Sequence, residues 1–261
     1  MKEESFLKKT DGKKTTSVKG VPKLEDANWA GTAKSKECTL ILTEGDSAKT
    51  MALAGLSKVG RDRYGVFPLR GKLMNVKDIT LKKIMEDEEI NNLKKILGLE
   101  SGKEYKSLDD LRYGKIMIMT DQDVDGSHIK GLVFNMFHSL WPSLVTCNSF
   151  ISSMMTPIVK ASKGNLVVSF YNLSDFDDWK NNNEYKKWNI KYYKGLGTST
   201  EDEAIEYFTH MKTVDYQYQK EQSDESLDLA FNKKRADERK EWLSGYDRKN
   251  VLSFKDSRVS Y

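Results

Sequence analysis

Lys115-Ile-Met-Ile-Met-Thr-Asp-Gln-Asp-Val-Asp-Gly-Ser-His128 is the stretch on which the fold turns. Residues 115–120 are mainly apolar and too short for a helix, which predicts a buried strand. Asp121, Asp123 and Asp125 follow at once. Beyond them Ile129, Leu132, Val133, Met136, Phe137, Leu140 and Trp141 recur at steps of three and four. That spacing predicts an amphipathic helix, stopped by Pro142. Strand, acidic loop and helix in this order point to an α/β fold with a mostly parallel sheet.

The pattern repeats on the N-terminal side. Residues 38–43, Cys-Thr-Leu-Ile-Leu-Thr, read as another buried strand, broken by Glu44-Gly45-Asp46-Ser47. Residues 48–56 have helical composition, with Ser47 or Asp46 as the expected cap. Residues 65–69 predict a second short strand ending at Arg70-Gly71-Lys72, and residues 79–97 a charged helix. After residue 150 the texture changes. Strand-like runs at 166–170 and 188–193 alternate with Asn- and Lys-rich stretches. Thr200 and Glu203 form a capping-box pattern for a helix running to about residue 212, and a charged helix is expected over 228–243. Three segments are expected: a basic linker at 1–37, an α/β domain at 38–150 and a C-terminal α+β extension at 151–261.

The chain has 261 residues, enough for a sizeable core. With 38% hydrophobic and 31% charged residues it has a soluble balance with room for polar excursions. A net charge of +4 is too small to mark nucleic-acid binding by itself. Lys8, Lys9, Lys13, Lys14, Lys19 and Lys23 crowd the N-terminus. Residues 1–20 have few apolar anchors and are expected to be mobile. Cys38 and Cys147 suggest a reducing compartment without a disulfide framework. The opening MKEESFLKK has no apolar core, so no signal peptide is expected. Residues 131–159 carry few charges but too many Ser, Thr and Asn side chains for a bilayer; a buried helix followed by a loop is expected there, and no membrane partner.

Parallel strands in one sheet put their carboxyl ends on one edge, where sites form. Glu44 and Asp46 past one strand, and Asp121, Asp123 and Asp125 past another, would therefore meet. An extended segment would keep the three aspartates on one side. Such an oxygen-rich set suits a hard divalent cation, which must neutralise it. Arg70 and Lys72 past the third strand add cations suited to a phosphodiester. An EF-hand is excluded because Leu132 stands where the loop needs Glu, and because a strand precedes the motif. Gly45-Asp-Ser-Ala-Lys49-Thr50 lacks the glycine before lysine of a phosphate-binding loop, and Gly195-Leu-Gly197 lacks the third glycine of a dinucleotide fingerprint. His128, His138 and His210 do not form a metal-ligand spacing.

Glu44-Gly-Asp-Ser-Ala48, Pro68-Leu-Arg-Gly-Lys-Leu-Met-Asn75 and Ile118-Met-Thr-Asp-Gln-Asp-Val-Asp-Gly-Ser-His128 resemble the Toprim signature of type IIA DNA topoisomerases. Lys23-Leu-Glu-Asp-Ala-Asn28 and Tyr192-Tyr-Lys-Gly-Leu-Gly-Thr-Ser-Thr200 match the same family, in its eukaryotic form. Val124 stands where many eukaryotic members have Gln. The resemblance implies a Toprim, Rossmann-like sheet. It also implies an ATP-dependent homodimer in the nucleus that cuts double-stranded DNA through a tyrosyl-phosphate link and passes a second duplex. Carried over, Glu44 is the general acid–base and a metal ligand, and Asp121, Asp123 and Asp125 complete the Mg²⁺ site, where Mn²⁺ can substitute. Arg70, Lys72, Asn75 and His128 contact DNA. Gly45, Asp46, Arg70 and Gly71 border the pocket of cleavage-trapping drugs. The ATPase region and the winged helix bearing the tyrosine are expected outside these 261 residues, so the chain by itself is expected to be inactive. The alternative is a stand-alone Toprim nuclease or primase-like enzyme.

Overall fold

The computed structural model describes residues 8–245 and 257–260. The three expected strands form side by side as β1 (Thr39–Glu44), β2 (Tyr64–Leu69) and β3 (Lys115–Met119). β1 pairs in parallel with both β2 and β3, and β3 pairs in parallel with β4 (Ile151–Met154). A second, three-stranded antiparallel sheet places β5 (Val159–Lys163) between β6 (Leu166–Phe170) and β7 (Asn189–Tyr192). The chain then returns to the first sheet. There β8 (Thr213–Gln217) lies antiparallel to β4, and β9 (Arg258–Ser260) runs parallel to β8. The six-stranded order is β2-β1-β3-β4-β8-β9. This is the expected α/β class: a mostly parallel sheet flanked by helices, with an α+β extension after it.

Both faces of the sheet are buried, which is why its central strands read as unbroken apolar runs. Leu40, Leu42, Ile116 and Ile118 pack on one side against α3 (Glu88–Leu97) and α4 (Val124–Leu140). Ile41, Met117 and Met119 pack on the other against α1 (Gly45–Val59) and α7 (Glu201–Thr209). The close approach of α1 and α7 needs Gly55, because a Cβ there would lie 2.1 Å from Cδ2 of Phe208. The capping box of α7 forms as the sequence predicts.

Several elements differ from the sequence reading. α1 begins at Gly45, so neither Asp46 nor Ser47 caps it; Glu44 holds the cap position without a side-chain bond. The helix expected over 79–97 is two, α2 (Leu81–Glu86) and α3, because Asp87 turns extended and caps the second by accepting the Ile90 N–H at 2.8 Å. The loop expected beyond α4 contains α5 (Pro142–Val145), β4 and β5. α6 (Leu173–Asn182) covers the second sheet. The charged helix expected over 228–243 is α8 (Lys220–Phe231) and α9 (Ala236–Ser244). Asn232 breaks it and accepts the Lys234 N–H.

The expected mobility of residues 1–20 lies outside the described residues for 1–7; beyond them, residues 11–15 make contacts with the body of the fold. Gly12 N–H donates to Leu99 O at 2.8 Å, and Asp11 pairs at 2.8 Å with the buried Lys94 ammonium. Arg112 is wholly buried. Its guanidinium donates to Thr15 O and Ile96 O and pairs with Asp26, so it ties the N-terminal segment to the body. The lysine run hid these anchors, which fall on Asp11, Gly12 and Thr15 between the lysines. Arg112→Ala is expected to lower stability by about 3 kcal/mol, because it removes the cation from Asp26, which keeps only the Tyr113 hydroxyl, and takes the donor from the buried Ile96 carbonyl and the part-buried Thr15 carbonyl. Urea unfolding measures this, and a loss under about 0.5 kcal/mol, the size of an ordinary surface substitution, would contradict the assignment.

Candidate metal centre

The parallel register puts the ends of β1, β2 and β3 on one edge: Glu44 pairs with Leu69, and Thr43 with both Pro68 and Met119. Glu44 is the last residue of β1, Arg70 follows β2, and Asp121 follows β3 by two residues. The Asp121 N–H points to Glu44 Oε2 at a long 3.4 Å, so the two carboxylate residues meet as the sequence predicts. Burial raises the Glu44 carboxyl above its ordinary value of 4.5; the Asp121 N–H opposes this, and the charges of Asp121, Asp123 and Asp125 reinforce it.

The other two aspartates are not on an extended segment. α4 begins at Val124, so Asp123 is its N-cap, accepting the Gly126 N–H at 2.8 Å, and Asp125 stands in the first turn. Asp125 pairs with Lys72 at 2.7 Å, which holds its carboxyl below the usual range. Among the described residues, no three His, Cys, Asp or Glu side chains form a complete ligand cluster. The donor set still fits a hard cation: carboxylate oxygens that repel one another and leave most ligand positions to water or phosphate.

The basic residues are present and engaged within the chain. The Arg70 guanidinium forks onto Glu88 at 2.6 and 3.0 Å, and the Arg70 N–H donates to Glu89. Asp46 is held by Lys23 at 2.7 Å, which lowers its pKa. Asn75 donates to Phe231 O and accepts from Asn135 and Lys77, so both ends of its amide serve the fold. His128 stacks near Phe231, with ring centroids 6.4 Å apart; burial, then Lys72, lowers its pKa against the pull of Asp125. Gly45 and Gly71 have φ of +78° and +113°, with nothing near where a Cβ would stand.

Two participants were not found from sequence. Lys130, five residues along α4 from Asp125, has its pKa lowered by burial against the pull of Asp123 and Glu44, so its charge belongs to this edge. The Leu196 N–H donates to Asp121 Oδ1 at 2.8 Å. The Gly195-Leu-Gly197 motif was visible, but spacing alone could not say what it touches.

The Toprim domain family model matches residues 39–153, and the model of the C-terminal associated domain of TOPRIM matches residues 154–261. DNA topoisomerase 2-alpha of Rattus norvegicus is 56% identical over 245 residues, which cover 92% of this chain and 16% of that protein. The chain belongs to the Toprim family, in its eukaryotic type II topoisomerase branch. DNA topoisomerase 2 top-2 of Caenorhabditis elegans is 55% identical over 251 residues, again 16% of its length. The crystal structure of the Plasmodium falciparum topoisomerase II DNA-binding, cleavage and re-ligation domain matches this Toprim chain with a TM-score of 0.90 at 49% identity. That match covers 94% of this chain and 34% of that one.

The raised Glu44 pKa has a consequence for stability in chelator. The folded state keeps the Glu44 proton to higher pH than the unfolded state does. The stabilisation that this proton gives is full at low pH and is lost as pH rises through the window above 4.5. Glu44→Gln is therefore expected to be more stable than wild type at pH 7, with the gap closing below pH 4.5. Denaturant midpoints across pH test this; a gap independent of pH would refute the electrostatic origin.

Proposed function

We propose that this chain is the metal-binding part of the DNA-cleavage core of an ATP-dependent type II DNA topoisomerase. The observation that carries the reading is the meeting of Glu44 and Asp121 at adjacent strand ends, beside a Lys72–Asp125 pair and Arg70. Identity to eukaryotic topoisomerases across most of the chain supports it. The proposal includes a nuclear homodimer acting on double-stranded DNA.

Glu44, Asp121 and Asp123 would hold Mg²⁺, with Mn²⁺ as a substitute and Asp125 in support. A divalent cation there supplies charge stabilisation at the attacked phosphate. The remaining work falls to side chains. Glu44 gives a proton to the departing 3′ oxygen and takes it back on religation. Arg70 and Lys72, now paired with Glu88 and Asp125, would exchange those partners for backbone phosphates, which would release Asp125 to support the cation. The nucleophile is a tyrosine from the winged-helix region of the partner subunit, whose oxygen forms the 5′-phosphate link as the 3′ oxygen leaves, its own hydroxyl proton passing to solvent.

The test is a chimera in which residues 8–245 replace the matching segment of the rat enzyme. It should relax supercoiled plasmid in Mg²⁺ and ATP. Glu44→Ala in the chimera should reduce cleavage by at least about 100-fold, the usual worth of a general acid–base group, while DNA binding stays within about twofold. Cleavage by that variant at the parent rate would sink the reading. Nicking of plasmid by the 261-residue chain alone, lost in its own Glu44→Ala variant, would favour a stand-alone nuclease instead.

A further inference from the structure

Asp121 is confined from two directions by glycines. A Cβ on Gly126 would lie 2.1 Å from the Asp121 carbonyl oxygen and 2.9 Å from Thr120 Oγ1. A Cβ on Gly195 would lie 2.4 Å from Asp121 Oδ2 and 3.0 Å from its Cγ. The Leu196 N–H, next along the chain, donates to Asp121 Oδ1 at 2.8 Å. Gly195 is fully extended, with φ −179° and ψ 175°, a conformation open to any residue. Glycine is needed there for the space that the Asp121 carboxylate fills. Leu196 is 4% exposed and packs in the core beneath α1 with Ile41, Met119 and Met154, so its peptide is firmly anchored.

We infer that the Gly195–Leu196 peptide positions the Asp121 carboxylate for its cation, so that the metal site is built jointly by the Toprim domain and its C-terminal associated domain. Asp121 and Gly195 lie on opposite sides of the 153/154 division between the two family models. A charge-assisted N–H···O bond holds the carboxylate in one orientation, and the missing Cβ of Gly195 leaves the space that orientation fills. Asp121 N–H in turn faces Glu44, so the order imposed by the C-terminal domain reaches the general acid–base residue. The inference rests on Asp121 being a metal ligand, as proposed above.

Mn²⁺ binding to the 261-residue chain, followed by water-proton relaxation, tests it. Gly195→Ala should weaken Mn²⁺ by roughly 10–100-fold, the usual effect of disturbing a group that orients a ligand. Gly197→Ala is the control in the same loop: its Cβ would meet only Ser47 Cβ, at an ordinary 3.8 Å, and it should bind as wild type does. In an Asp121→Ala background, Gly195→Ala should cause no further loss. In the unmutated chain, a Mg²⁺ titration by ¹H–¹⁵N NMR should shift the Gly195 and Leu196 amides together with those of Asp121 and Asp123. Asp121→Ala binding as wild type would overturn the ligand assignment. A clear loss in Asp121→Ala, with Gly195→Ala equal to Gly197→Ala or with Leu196 silent to Mg²⁺, would overturn the positioning inference alone.

Discussion

Glu44 and Asp121 carry like charges and are held together by the parallel register of β1 and β3. The repulsion is felt, because Asp121, Asp123 and Asp125 all help to push the Glu44 pKa upward. It is endured because the strands behind the carboxylates are buried on both faces and cannot slide without exposing Ile41, Leu42, Met117 and Ile118 together. The hydrophobic sheet thus stores an electrostatic tension at its edge. The chain relieves part of it internally. Asp123 faces the α4 N-terminus as its cap, Asp125 takes Lys72, and Asp121 takes the Leu196 N–H. A cation and a phosphate backbone are the natural complements of what remains.

The internal partners of the basic residues fit that picture. Arg70–Glu88 and Lys72–Asp125 both lie in solvent, with side-chain exposures of 53% and 62%, and 47% and 61%. Pairs this exposed are worth about 0–1 kcal/mol and are easily exchanged. The buried pairs are of another kind. Arg112 with Asp26, and Lys94 with Asp11, tie the N-terminal segment to the body and are unavailable to ligand. Asn75 also belongs with the internal group, as its amide is already satisfied at both ends.

The legible parts of the sequence were those where burial is complete and the polar residues gather at element ends. β1, β3 and α4 fit that description, and with them came the edge where Glu44 and Asp121 meet. β4 did not, because its centre is Ser152-Ser153. Both serines are fully buried, yet satisfied: Ser152 Oγ donates to Ile116 O, and Ser153 Oγ bonds the Tyr216 hydroxyl. Hydrogen bonding across the sheet replaces hydrophobicity there, and no pattern of two reveals it. The acidic loop was misjudged for a local reason. A helix can start inside a run of aspartates when one of them caps it, so spacing by two did not keep Asp123 and Asp125 on one extended side. The Leu196–Asp121 bond links residues 75 positions apart and is a backbone donor, which carries no side-chain signature.

Glycine serves this edge in two opposite ways. At Gly45 and Gly71 it is required by conformation: both have positive φ and open space around the missing Cβ. These two lie where β1 and β2 leave the sheet, so the chain turns sharply there and the surface stays free of side-chain bulk. At Gly126 and Gly195 glycine is required by space, since a Cβ would strike Asp121. The first pair leaves room at the edge for something large to approach the backbone. The second pair lets the chain close on Asp121, Gly126 against its carbonyl oxygen and Gly195 against its carboxylate. Approach and fixation are thereby assigned to different segments of the chain, and a substitution that adds bulk at the first pair need not disturb Asp121, while one at the second must.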